Sequence, residues 1–422
     1  MEPPLTHYTR HPYTSLIAGH ALRRIGILFL SIYSVGDALI LYDGDNARNL
    51  TAPDAQRTEA FNSVGRVANA ITGSVTHVRG KYCITANHVN LSPGSVSFDG
   101  ITNYTIDPQF PIQKIGDADM KLLKLIDDPG LPETVLNTSF TADLSNGAFF
   151  VGWGVGRAPD IQDSSAGPVN TWTWGSGGTL AKRWGTNDVE GSFPANSPGL
   201  NLPYESLFTR ANGGFLADPD EAAAAIFDSG SGLFVEDNGQ WVLAGLTTAV
   251  QTSNSSRFGQ PTDGDLNFFV RIAAFASAIE AEIPDLTTYT GWTIDHSLYG
   301  ADALEASDTD DDGLTQLEEF ALGSDPRKAS FAANPTQHLV EDSGNRFLEL
   351  VVTRPVGLQG VDYLPETTTD LTLWPGSPSG FVSASPTPVD NGDGTETLVY
   401  RVAQPVSSSI DCYIRLVIVA TQ

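Results

Sequence analysis

Gly73-Ser-Val-Thr-His-Val-Arg-Gly-Lys-Tyr-Cys-Ile-Thr85, continuing through Ala86-Asn87 to His88, is two short apolar runs joined at Gly80-Lys81. Each run has strand length, and the glycine supplies the backbone freedom that a tight hairpin turn needs. Outward from this hairpin the same pattern recurs between about residues 60 and 270. Gly147-Ala-Phe-Phe-Val-Gly152 and Gln240-Trp-Val-Leu-Ala-Gly-Leu-Thr247 are further runs, set apart by Gly, Asn, Asp and Pro turns. An antiparallel barrel or sandwich follows from such spacing. Between Phe268 and Ile283 the character changes, because Ile272, Phe275, Ala276 and Ile279 recur at helical spacing, and a helix is expected to close the region. From residue 340 strands return in Phe347–Thr353, Thr395–Arg401 and Cys412–Val419, with a hairpin-type turn at Asp390-Asn-Gly-Asp-Gly-Thr395. The whole therefore reads as mainly β.

Composition narrows the function classes. The 422 residues suffice for two or three domains, and 41 Gly with 26 Pro fit a turn-rich β architecture. A net charge of −27 argues against nucleic-acid binding, which needs clustered Lys and Arg. It favours a soluble monomer and is compatible with oxygen-rich metal sites. The two cysteines, Cys83 and Cys412, are too far apart to suggest a disulfide framework and are expected to act as small buried hydrophobes. Arg23-Arg24, the apolar run Ile25–Val35 and the small residues Gly36 and Ala38 together fit a secretory signal over residues 1–38. A secreted protein is expected, with no membrane span, since no later apolar run reaches 18 residues.

The chemistry-bearing residues lie in the first β region. Phe227-Asp-Ser-Gly-Ser-Gly-Leu-Phe-Val235 is a tight turn of small residues leading into a strand. Nucleophilic acyl transfer needs a hydroxyl on such a turn, a base within reach, a group fixing the base's tautomer, and N–H donors for the oxyanion. Alone, a serine flanked by glycine is usually just a turn. Its companions are Ile84-Thr-Ala-Asn-His-Val89, Asp119-Met-Lys-Leu-Leu-Lys-Leu125, Gly152-Trp-Gly154, Trp241-Val-Leu-Ala-Gly-Leu-Thr-Thr248 and Phe269-Val-Arg-Ile272 before a helix. In this order they resemble the trypsin/chymotrypsin-like serine protease family over roughly residues 60–285. The order His, Asp, Ser is also that of chymotrypsin.

The resemblance implies a chymotrypsin-like double antiparallel β-barrel with a C-terminal helix and a protein or peptide substrate. His88 would be the general base, Asp119 the orienting acid and Ser229 the nucleophile, with the N–H groups of Phe227 and Ser229 as oxyanion donors. Asp117 is a rival acid, which strand register disfavours. Thr248 stands where the family usually has a serine supporting the buried acid. Three departures matter. Phe227 replaces a glycine, and a bulky residue disfavours the required peptide orientation. The usual activation sequence is missing, so Asp228 needs another partner, either a processed N-terminus near Leu39 or Arg210. Ala223 lies at the base of the specificity pocket, with Val250 and Asn267 as walls and Thr248 also counted among its residues, which implies a preference for small or medium apolar side chains rather than basic ones.

Asp308-Thr-Asp-Asp-Asp-Gly-Leu-Thr-Gln-Leu-Glu-Glu319 has the spacing of an EF-hand loop. Asp308, Asp310 and Asp312 would supply side chains to calcium, Leu314 a carbonyl, Gln316 a direct or water-mediated contact and Glu319 a bidentate carboxylate. A structural calcium is expected here, with none needed for catalysis. The segment also resembles thrombospondin type 3-like repeats of secreted bacterial proteins. The expected organisation is thus a signal over 1–38, a protease domain over 39–288, an acidic calcium-loop linker over 289–329 and a β-sandwich-like module over 330–422. The last module resembles C-terminal modules of secreted bacterial enzymes. Trp374 and Tyr363 are its candidates for surface or glycan contact, against the simpler reading that they are core of a spacer. A catalytically silent homologue acting as a binding protein is the alternative for the whole.

Overall fold

The computed structural model describes residues 37–41, 49–68, 72–92, 94–144, 147–156, 180–210, 220–251, 265–374, 380–383, 385–406 and 411–421. The chain is mainly β, with a curled half-barrel sheet among several sheets. The described residues form two compact units. One takes the described residues within Met1–Thr105, Ile112–Leu123 and Asp128–Ile279, the other those within Ile106–Pro111, Lys124–Asp127 and Glu280–Gln422.

One seven-stranded antiparallel sheet is made of β2 (Val64–Val67), β3 (Ser74–Arg79), β4 (Tyr82–Thr85), β5 (Ser95–Ser97), β6 (Tyr104–Thr105), β7 (Gln113–Lys114) and β8 (Lys121–Lys124), in the order β6-β5-β2-β3-β4-β8-β7. The hairpin expected at Gly80-Lys81 is β3–β4, with Gly80 at φ +50°. Its burial is almost continuous, and Val75, Cys83 and Ile84 are wholly enclosed. The Cys83 thiol is pushed well above its ordinary range by that burial, so it acts as a hydrophobe, whereas Cys412 is only half-buried.

The other large sheet comprises β9 (Ala148–Gly154), β10 (Ala181–Asn187), β11 (Val189–Phe193), β12 (Ser206–Arg210), β14 (Gly232–Asp237), β15 (Gln240–Val250) and β16 (Leu266–Arg271), ordered β10-β9-β14-β15-β16-β12-β11. Strand alternation sends successive side chains to opposite faces. Phe149 accordingly meets Trp184 and Trp241, while Phe150 meets Phe269 edge-on at 5.2 Å. A ribbon of β1 (Asp37–Leu41) and β13 (Ala222–Ala225) buries Leu39, Leu41, Ala222 and Ala224 in the same core as Phe150 and Phe269. The expected helix is shorter than the apolar spacing suggested. Phe268 to Arg271 complete β16, one 3-10 turn follows, and α2 spans Ala276–Glu282, after the early helix α1 (Thr58–Ser63). Residues 1–36 of the expected secretory signal lie outside the described residues.

In the second unit, β17 (Thr336–Asp342), β18 (Asn345–Pro355), β20 (Val389–Asp390) and β21 (Thr395–Arg401) form one sheet, and β19 (Val361–Thr368) pairs with β22 (Tyr413–Ala420) in another. Both cover one core that includes Leu350, Val352, Tyr363, Leu398 and Ile414. The acidic segment expected as a linker is built into this unit. Helices α3 (Tyr289–Asp295) and α4 (Gln316–Leu322) bury Trp292, Leu317 and Phe320 together, and Ala321 and Leu322 join the β core. Leu317 to Leu322 followed by Gly323 reads in the sequence as a helix and its stop, and α4 is that helix, capped by Gly323 at φ +75°. Tyr363 is core, its hydroxyl donating to the Ala321 carbonyl, while Trp374 carries the Arg415 guanidinium 4.2 Å over its ring.

Candidate active site

The first unit brings His88, Asp119 and Ser229 together from three places in the chain. Asp119 lies just before β8, His88 just after β4, and Ser229 on the turn between β13 and β14. His88 Nε2 is 2.8 Å from Ser229 Oγ, and Nδ1 is 2.6 Å from Asp119 Oδ2. The other carboxylate oxygen accepts the His88 backbone N–H at 3.1 Å, so ring and main chain are held by one acid. Asp117 is exposed, and the carboxylate contacts to His88 come from Asp119.

The acid is supported from behind. Thr248 Oγ1 donates to Asp119 Oδ2 at 2.5 Å and lies 2.8 Å from the buried Tyr204 hydroxyl. Burial alone would raise the Asp119 carboxyl. The hydrogen bond and charge of His88, the Thr248 hydroxyl and the His88 N–H outweigh it and hold the group below its ordinary value. Lys121 Nζ donates to the carbonyls of Asn87 and Val89, gripping the chain on either side of His88. Its pKa is lowered by burial, an effect Asp119 partly opposes. Burial pushes the Tyr204 phenol upward, so it stays a neutral hydroxyl.

The nucleophile turn is fastened on two sides. Gly230 N–H donates to the Thr247 carbonyl, and the Ser231 N–H closes onto the Asp228 carbonyl. From β3, Ser74 N–H donates to the Ser229 carbonyl at 2.9 Å and Thr76 Oγ1 to the Gly230 carbonyl at 2.9 Å. Gly230 sits at φ +90°, and a Cβ there would stand 2.2 Å from the Ser74 carbonyl, so only glycine fits. Phe227 adopts φ +75° despite its side chain. Among the described residues, neither the Phe227 nor the Ser229 N–H is taken by another protein group.

Asp228 is fully buried, with Oδ2 accepting the Ala225 N–H at 3.0 Å. Oδ1 and Leu39 Cγ both press on Gly152, at 2.1 Å and 3.1 Å from where its Cβ would be. Oδ1 also accepts the Ser231 hydroxyl at 3.4 Å. Arg210, the other expected partner for it, is bound by Glu190 at 3.0 Å.

Ala223, Val250 and Asn267 lie on neighbouring strands, linked through the contact of Asn267 with Ala224. Ala223 is buried on β13 opposite Ile40. Val250 and Asn267 are cross-strand partners on β15 and β16. The Asn267 side chain is used up as a strut, its Oδ1 accepting the Ala224 N–H and its Nδ2 donating to Thr209 Oγ1. Thr248 belongs to the Asp119 cluster. Sequence reasoning missed Lys121, Tyr204 and Ser74. Lys121 could have been found two residues beyond Asp119, on the same face of a strand; Tyr204 carries no local signal.

In the second unit, ligand atoms of Asp308, Asp310 and Asp312 all lie within 4.8 Å of one another. Asp308 Oδ1, Asp310 Oδ2, Gln316 Oε1 and Glu319 Oε2 are buried without a hydrogen-bond partner, and Gln316 and Glu319 are fully enclosed. Buried oxygens left without donors are costly, and a hard cation is what such a set accommodates. Burial and the charges of Asp310, Asp312 and Asp308 push the Glu319 carboxyl up to about 7, against an opposing Ser324 bond. Asp311 and Gly313 both take positive φ, and the Leu314 N–H is held by Asp312 at 2.9 Å. The residues present fit a calcium-type site.

No protein-family model matches the chain, and no curated protein matches it.

Proposed function

We propose that the chain is a secreted serine endopeptidase of the trypsin/chymotrypsin-like type, its two large sheets corresponding to that family's two barrels. The single observation carrying this reading is the continuous line Ser229 Oγ, His88, Asp119, Thr248 with contacts of 2.5 to 2.8 Å. In it, His88 Nε2 removes the Ser229 proton as Oγ attacks the peptide carbonyl. Asp119 stabilises the resulting imidazolium, and the N–H groups of Phe227 and Ser229 receive the oxyanion. The imidazolium then protonates the leaving amine, and water reverses the sequence to free the acid product. A methyl group at Ala223 offers no partner for a cationic side chain, so small or medium apolar residues are preferred. Asp308, Asp310, Asp312, Gln316, Glu319 and the Leu314 carbonyl would hold a structural calcium, which stabilises the second unit and takes no part in the chemistry.

A fluorophosphonate probe tests the reading: wild type should be labelled and Ser229→Ala should not. Folded wild type that stays unlabelled would leave a binding homologue instead. Cleavage of a peptide library should show the apolar preference, and selective cleavage after Arg or Lys would remove the Ala223 argument.

A further inference from the structure

Phe227 occupies the left-handed region at φ +75°, which strains a residue that carries a Cβ. Strain of this kind persists only where neighbouring groups over-determine the backbone. The neighbour here is Ser74, the first residue of β3, whose side chain is fully buried. Its hydroxyl donates to the Phe227 carbonyl at 2.8 Å and accepts the Trp153 N–H at 3.3 Å. The single hydroxyl proton is thus committed to Phe227, and the oxygen is steadied from the other side.

We propose that Ser74 is a positioning residue, a latch that holds Phe227 in the glycine-like conformation from which the 226–227 peptide presents its N–H to the oxyanion. The proposal rests on the acyl-transfer reading of the site. Glycine would adopt this geometry unaided, whereas phenylalanine has a lower-strain alternative at negative φ. The latch removes that alternative. Ser74 also binds the Ser229 carbonyl through its own N–H, so one residue orients the carbonyls on both sides of Asp228. Turning those two carbonyls toward β3 leaves the N–H groups of Phe227 and Ser229 free of protein partners among the described residues.

The test is a cycle of Ser74→Ala and Phe227→Gly on the full chain, read by kinetics per labelled active site and by crystal structures. Ser74→Ala should lower kcat by about ten- to a hundredfold with little change in KM, less than deletion of an oxyanion donor. In the Phe227→Gly background the same change should cost less than about threefold, because glycine needs no latch. The crystal structure of Ser74→Ala should show Phe227 at negative φ. Equal losses in both backgrounds, or Phe227 still left-handed in Ser74→Ala, would overturn the proposal. Should Ser74→Ala not fold, Ser74→Cys carries the same expectations at smaller size. If wild type hydrolyses nothing but Ser74→Ala still releases Phe227 from positive φ, the latch stands and the protease reading falls.

Discussion

The Asp119 carboxylate receives three hydrogen bonds from two residues, and the one from Thr248 can be removed by itself. Thr248→Val deletes a hydroxyl that donates to a charged acceptor while keeping its shape. A charge-assisted bond of this kind contributes about 1.5–3 kcal/mol, so kcat/KM should fall by about tenfold or more in a peptide-ester assay. Tyr204→Phe acts only through Thr248, so its smaller loss should vanish in the Thr248→Val background. Gly230→Ala should fail for a steric reason, since the new Cβ meets the Ser74 carbonyl at 2.2 Å and the backbone is at φ +90°. A destabilisation of about 2 kcal/mol or more is expected in urea unfolding. At this scale the triad was readable in the sequence because each member sits at the end of a recognisable strand or turn. Ser74 and Tyr204 were not, because their partners lie 153 and 44 positions away and no local pattern marks such a pairing.

Among the elements, the end of β8 shows how a strand is anchored by charge. Lys124 is fully buried, and its ammonium donates to Asp107 Oδ2 at 2.9 Å and to Ser297 Oγ. The Ser297 and Tyr299 hydroxyls are also within 2.7 and 3.0 Å of that oxygen. Burial would raise the Asp107 carboxyl, but the bonds from Ser297 and Lys124 bring it down to about 2. A folded-state pKa below the unfolded value stabilises the protein above the unfolded pKa, and that stability is lost as pH falls through the folded one. The pair should therefore give up about 2 kcal/mol between about pH 4 and pH 2, measurable as a steeper fall in urea midpoint than in Asp107→Asn. At neutral pH that variant leaves a buried ammonium underpaired, and a loss of about 3 kcal/mol is expected. The strands themselves were legible from alternation and turn residues. The helix over Leu317–Leu322 was legible too, but its packing was not, because Trp292 lies far from Leu317 and Phe320 in sequence and only their shared contact marks them as core.

Across the whole molecule, the candidate active site lies in one unit and the acidic loop proposed to hold calcium in the other. Chelation should lower the melting temperature of the second unit and leave fluorophosphonate labelling at low temperature unchanged. Calcium at about a hundred times its dissociation constant should restore about 2.7 kcal/mol, and Asp312→Ala should abolish that response in calorimetry. A melting profile indifferent to both would remove the site. The contrast between the two units also shows where sequence reading stops. Strand identity, the Gly80-Lys81 hairpin, the order of His88, Asp119 and Ser229 and the spacing of the acidic loop are local properties, set by backbone sterics and side-chain type within a few residues. The partners of Asp119, the left-handed Phe227 with its Ser74 hydrogen bond, and the packing of the acidic segment into a β core depend on which distant strands come to lie side by side. Those pairings arise from burial summed over the whole chain, so the same Phe227 that reads locally as an obstacle is held, in the folded protein, by a hydroxyl on another sheet.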